Sequence, residues 1–253
     1  MINAVIFDLD GTLIETEKLK AQAYARAAIE LCPEAFDEQE VLDAFGDFVG
    51  GSRREVSLGL MDRFNLAGPA RKRMTEFGAS EPWQVFTQLR LQILEVMLAD
   101  EVLLRSHRRA QPLSLLQTIK TWQCKVGLAT MSRCEQATRT LKVLGLADAF
   151  DFIATREDVE NPKPDPEIYL LVADALQVPI GECMVLEDSV AGVQAGLAAG
   201  ALVVAFATTM TREKLHQFKV ISPYHIVEDS EDLQATVDRL FKLYNDGMQP
   251  DGI

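Results

Sequence analysis

Apolar residues change their spacing twice along this chain. Ala4-Val5-Ile6-Phe7 is an unbroken apolar run of strand length, and it stops at Asp8-Leu9-Asp10-Gly11-Thr12. From there to about residue 105 the apolar positions recur at helical intervals: Ala21, Tyr24, Ala28, Leu31; Leu42, Phe45, Val49; Val56, Leu60, Phe64; Phe86, Leu89, Ile93, Val96. No comparable strand signal interrupts them. Beyond Leu113 the two periods alternate. Leu116, Ile119 and Trp122 predict a helix, and Lys125 to Thr130 a strand. Ala137, Leu141 and Leu144 mark the next helix, and Phe152 to Thr155 a strand. Ile168, Leu171, Val172 and Ala175 mark a third helix, then Cys183 to Glu187 a strand. A helix from Val190, a strand from Leu202 to Phe206 and a weak strand at His225-Ile226-Val227 follow. Residues after about Asn245 are expected to be disordered.

Strands that alternate with helices of this length imply parallel strands joined by right-handed crossovers. The expected fold is therefore α/β: a Rossmann-like parallel sheet core with an inserted α-helical bundle. The core takes residues 1–15 and 108–253, and the insert takes 16–107. In such sheets ligands bind beyond the carboxyl ends of the strands.

The polar residues obey that rule. Asp8 and Asp10 end the first strand, and Thr130, with Ser132 close behind, ends the second. Lys163 lies in the loop after the third, inside Pro162-Lys163-Pro164-Asp165-Pro166, and Glu187-Asp188-Ser189 ends the fourth. A buried carboxylate costs several kcal/mol unless it is paired or bound to a metal. Several in one crevice require a divalent cation to offset their repulsion. Oxygen-only ligands beside a phosphoryl group favour Mg2+. Thr130, Ser132 and Lys163 are the candidates for holding phosphoryl oxygens. One carboxylate of the Asp8/Asp10 pair can attack a substrate while the other moves a proton.

Charge and composition narrow the partners. A net charge of −13 argues against nucleic acid and obliges an anionic substrate to find a local positive site. The longest largely apolar stretch, Leu197 to Ala207, is too short to span a bilayer, so no membrane partner is expected. The first strand starts too near Met1 to leave room for a signal peptide. Four widely spaced cysteines without metal-type pairing fit reduced thiols, and the expected location is cytoplasmic.

In order and spacing, Asp8-x-Asp10-Gly11-Thr12, Thr130, Pro162-Lys163-Pro164-x-Pro166 and Glu187-Asp188-Ser189 with Gly192 resemble the four motifs of the haloacid dehalogenase (HAD) superfamily of phosphohydrolases. The resemblance covers about residues 1–16 and 110–230. It implies Asp8 as nucleophile, Asp10 as general acid/base, and Thr130 and Lys163 as phosphate binders. Asp8, the Asp10 backbone carbonyl and Asp188, supported by Glu187, would hold Mg2+. The position of the insert resembles that of the β-phosphoglucomutase-like phosphatase subgroup, which implies a mobile cap. Gly51-Ser52-Arg53 resembles that cap's substrate loop, so Arg53 is a candidate substrate contact, as is Lys20. Lys20 stands where the mutase itself carries a histidine, and Met131 stands where Asn or Ser usually follows the second motif.

The reading that results is a Mg2+-dependent phosphatase acting on a small phosphorylated metabolite, a sugar phosphate, through an aspartyl-phosphate. A phosphosugar mutase of the β-phosphoglucomutase type is the alternative, followed by a metabolite-binding protein that lost turnover. A dehalogenase would not need the metal site, and an imine-forming phosphonate hydrolase would need a lysine where Arg53 stands. A monomer is expected, with a dimer open. Gly192, Gly196 and Gly200, four apart, read as close packing of a helix on the sheet. His107, His216 and His225 lie away from the motifs, and His107-Arg108-Arg109 reads as the second hinge strand of the insert.

Overall fold

The structure is a computed structural model that describes residues 1–48, 51–217 and 221–246. Val49, one of the apolar positions counted above, lies outside the described residues. So does the expected disorder of the chain end, Asp246 excepted. The chain divides into two compact units, Met1–Glu15 with Leu104–Ile253, and Thr16–Leu103.

The first unit is built on a parallel sheet. Among the described residues its strands are β1 (Ala4–Phe7), β2 (Lys125–Ala129), β3 (Phe152–Ala154), β4 (Cys183–Glu187), β5 (Leu202–Phe206) and β6 (Ile226–Val227), in the order β3-β2-β1-β4-β5-β6. Every neighbouring pair is parallel. All four β1 residues are fully buried, as expected of a central strand covered on both faces. The register explains the site before any side chain is considered. Phe7 pairs with Leu128 on one side and Leu186 on the other, so Asp8, Ala129 and Glu187 emerge side by side at one sheet edge.

The second unit contains α1 (Thr16–Leu31), α2 (Glu38–Phe45), α3 (Arg53–Arg63), α4 (Ala67–Lys72) and α5 (Pro82–Ala99). Helix α1 packs on α2 and α5, and α5 also on α3 and α4. Capping boxes start α2 (Asp37 with Glu40) and α3 (Ser52 with Glu55), which satisfies backbone donors that a helix start leaves open. Tyr24 stacks against Phe45 and Phe86, each at 5.6 Å between ring centres. Ser57 and Thr87 share a buried hydroxyl hydrogen bond of 2.7 Å.

Helix α6 (Glu101–Ser106) leads back toward the sheet unit, where α7 (Ala110–Ile119), α8 (Cys134–Leu144), α9 (Glu167–Ala175) and α10 (Val190–Ala199) form the crossovers. The structure adds two helices that the patterning does not mark, α11 (Arg212–Gln217) and α12 (Leu233–Asn245). Helix α12 buries Leu233, Val237 and Leu240, and Phe241 stacks on Trp122 at 4.2 Å. His225 belongs to a 3-10 turn rather than to β6. The expected hinge pairing is present: Ile14 bridges Arg108 antiparallel, and the Glu15 and Arg109 amides donate to the His107 and Leu13 carbonyls.

Candidate active site

The apolar ladder of β1 gives way to chemistry at Asp8. Its amide still continues the ladder, donating to the Leu186 carbonyl at 3.0 Å, and its carboxylate is buried beyond the strand end. The Lys163 ammonium, carried by the loop before α9, donates to Asp8 Oδ1 at 2.7 Å, to Glu187 Oε1 at 2.6 Å and to the Ala129 carbonyl at 3.0 Å. Those three bonds use all three of its protons. The Tyr169 hydroxyl, from α9, donates to the same Glu187 oxygen at 2.8 Å, while its ring faces the lysine nitrogen at 4.8 Å. Glu187 Oε2 accepts from the Asp188 and Ser189 amides and the Ser189 hydroxyl, each at 3.0 Å. Both Glu187 oxygens are thus engaged, so this residue orients Lys163 and the start of α10.

A second group forms around Asp10. Its Oδ2 accepts from the Ser132 hydroxyl at 2.6 Å and the Thr130 hydroxyl at 3.1 Å. The Ser132 amide donates to Thr130 Oγ1 at 3.0 Å, locking the turn after β2. Between Asp8 and Asp10 on one side and Asp188 on the other stands Gly11, with φ +91°. A Cβ there would lie 2.1 Å from Asp188 Oδ2, so the turn admits only glycine if Asp188 is to sit beside it.

The electrostatics follow from burial. Burial pushes the Asp8 carboxyl up to about 8, against the pull of Lys163 and with help from Glu187 and Asp10. Burial pulls Lys163 down, but the Asp8 and Glu187 charges together overcome it and hold it well above the ordinary lysine value. For Glu187 burial is likewise outweighed, by the Lys163 charge and its hydrogen bonds, and its carboxyl stays below the usual range. Lys163 and Glu187 are therefore the ionised pair, and Asp8 is short of positive charge. One oxygen from each of Asp8, Glu187 and Asp188 lies within 4.8 Å of the others, all three residues being buried. A hard divalent cation fits this all-oxygen donor set and supplies the missing charge. The Asp10 carboxylate stands outside that group.

A family model described as a haloacid dehalogenase-like hydrolase matches residues 2–200. The chain belongs to the haloacid dehalogenase-like hydrolase family. It is 33% identical over 202 residues to a phosphorylated carbohydrates phosphatase of Thermotoga maritima, covering 79% of this chain and 82% of the relative. It is 26% identical over 207 residues to the fructose-1-phosphate phosphatase YqaB of Escherichia coli, covering 78% and 92%. The solved structure of a putative beta-phosphoglucomutase from Thermotoga maritima matches with a TM-score of 0.69 at 24% identity, over 94% of this chain and all of that one, and shows the fold.

In this HAD-like hydrolase the sequence candidates fall into three places. Asp8, Lys163, Glu187 and Asp188 meet in one cluster, and Asp10, Thr130 and Ser132 in a second. Lys20 and Arg53 belong to the helical unit. Lys20 Nζ bonds Glu17 Oε1 at 2.5 Å, and Arg53 is the exposed first residue of α3. Two residues escape sequence reasoning. Tyr169 hides in an ordinary apolar helix face, and only the placement of α9 shows its hydroxyl reaching Glu187. Arg109 follows the hinge strand; its Nη1 donates to the Gly11 carbonyl at 2.8 Å and its guanidinium lies 4.2 Å from the Phe206 ring centre. It pins the turn that carries both aspartates. The glycine expectation needs correcting. Gly196 packs on Val203 and Val185 as expected, but a Cβ on Gly192 would meet the Glu187 carboxylate. Gly200 packs on nothing within 4 Å and is the left-handed residue that ends α10, with φ +88°.

Proposed function

We propose that this hydrolase is a Mg2+-dependent phosphatase of small phosphorylated metabolites, sugar phosphates in particular, working through phosphorylated Asp8. The observation that carries the reading is the buried Asp8 carboxylate, held by Lys163 and grouped with Glu187 and Asp188. The phosphatases among its relatives support it. In the first step an Asp8 oxygen bonds to phosphorus as the bond to the substrate oxygen breaks, and Asp10 gives that leaving oxygen a proton. In the second, Asp10 takes a proton from a water as the water oxygen bonds to phosphorus. The bond to Asp8 then breaks, and phosphate leaves. Thr130, Ser132 and Lys163 bond the phosphoryl oxygens by turning hydrogens away from their present carboxylate partners. Asp8 and Asp188, with Glu187 in support, would hold Mg2+, which neutralises charge on the nucleophile and phosphoryl group. We assign residues 16–107 as the cap of the 1–15 and 108–253 core, with Lys20 and Arg53 as its substrate contacts.

The test is phosphate release from an aryl phosphate by the purified chain. Release is expected with Mg2+, lost with a chelator, and abolished in Asp8→Asn with the thermal midpoint retained. Turnover that ignores chelation or survives Asp8→Asn would overturn the reading. Conversion of glucose 1-phosphate to glucose 6-phosphate faster than phosphate appears would replace it by a mutase.

A further inference from the structure

The helical unit contains a buried charge with no counterion bonded to it. Arg90, on α5, is only 5% exposed, and its Nε makes no hydrogen bond. Among the described residues its one close partner is the Tyr24 ring, whose centre lies 4.7 Å from the guanidinium carbon. A cation over an aromatic face recovers about 0.5–2 kcal/mol. Taking a guanidinium out of water without a bonded anion costs several kcal/mol. Tyr24 cannot close that gap, and the nearby charges do little more. Arg53 opposes Arg90, while Glu17 favours it only at a distance and already accepts from Lys20. Glu17, Lys20 and Tyr24 are spaced three and four apart on α1 and so share a stripe. Three cations thus stand around one carboxylate, in a chain whose net charge is −13.

We propose that Arg90, with Arg53 and Lys20, is an anion subsite of the helical unit, built for a second negatively charged group on the substrate, a phosphate or a carboxylate. The proposal rests on the phosphatase reading and narrows its substrates to phosphomonoesters that carry another anion. A planar guanidinium fixed against Tyr24 presents its edge N–H groups in the fork geometry that suits either anion.

Calorimetry on the full Mg2+-loaded chain tests this with non-hydrolysable probes of matched length: an alkylphosphonate, an alkane-α,ω-bisphosphonate and a phosphonoalkanoate. The second anion is expected to tighten binding by about 10- to 100-fold, the worth of a charged hydrogen bond or two. Whichever dianion gains more identifies the group. Arg90→Met should erase that gain, and without ligand its thermal midpoint should equal or exceed that of the wild type. Equal binding of all three probes to the wild-type chain overturns the proposal without recourse to any variant. A gain that survives Arg90→Met, or a variant that loses stability without ligand, also overturns it. Because binding is measured directly, failure here is separable from failure of aryl phosphate turnover, which bears on the phosphatase reading alone.

Discussion

Gly192→Ala separates packing on the catalytic carboxylate from ordinary helix propensity, because the two predict opposite signs. Propensity favours alanine in a helix by at most about 1 kcal/mol. In the structure the new methyl carbon would lie 1.7 Å from Glu187 Oε1, 1.9 Å from Cδ and 2.3 Å from Oε2. The carboxylate would have to retreat by roughly 1.5 Å to reach contact distance. Its bonds to Lys163 and Tyr169, now 2.6 and 2.8 Å, would stretch beyond the range of a hydrogen bond. Breaking a buried ion pair costs about 3–5 kcal/mol. Net destabilisation of about 2–4 kcal/mol remains after the helix gain, which lowers the thermal midpoint by roughly 5–15 °C in a chain of this size. The control is Gly68→Ala on exposed α4, where an added Cβ meets nothing within 4 Å. That change should stabilise by about 0.4–1 kcal/mol. Thermal and urea unfolding of both variants decide the matter. If Gly192→Ala tracks Gly68→Ala, Glu187 is not fixed as described.

Two further predictions concern the same cluster. Without a divalent ion, Asp8 titrates near 8, well above an unfolded aspartate, so the folded chain holds a proton that the unfolded one lacks between those values. Metal-free stability should therefore fall as pH rises from about 4 to 8. Mg2+ binding should expel that proton, tightening with pH up to about 8 and levelling above it; calorimetry in buffers of different ionisation enthalpy counts the proton, and pH-independent affinity would refute the argument. Tyr169→Phe keeps the fully buried ring but removes the 2.8 Å bond to Glu187. It should cost about 1.5–3 kcal/mol in urea unfolding, and a change within error would mean that the hydroxyl contributes nothing.

The sheet and its acidic edge were readable in the chain because burial and charge conflict there. Ala4 to Phe7 can only be a covered strand, and carboxylates at such a strand's end demand a partner. The alternation after Leu113 did the rest, since strand ends in a parallel sheet share one edge. Helix-borne contacts were harder to read. Tyr169 and Arg90 occupy positions that their helices would fill with any large residue, and only packing shows what each meets. Gly192 looked like Gly196 because spacing does not distinguish a carboxylate neighbour from a valine. Helix α12 had its signal in Leu233, Val237 and Leu240, diluted by the charged residues between them. The substrate contacts of Lys20 and Arg53 rest on resemblance, because neither residue type conflicts with a solvated helix.

The claim on which all of this turns is that Asp8 takes the phosphoryl group. Acid-quenching the enzyme during turnover and reducing with borohydride converts an acyl phosphate on aspartate to homoserine, which peptide mass spectrometry locates. Homoserine at position 8, absent without substrate, is the expected result. An active enzyme that yields it at another position, or nowhere in the chain under conditions where the second step is rate-limiting, would contradict the account.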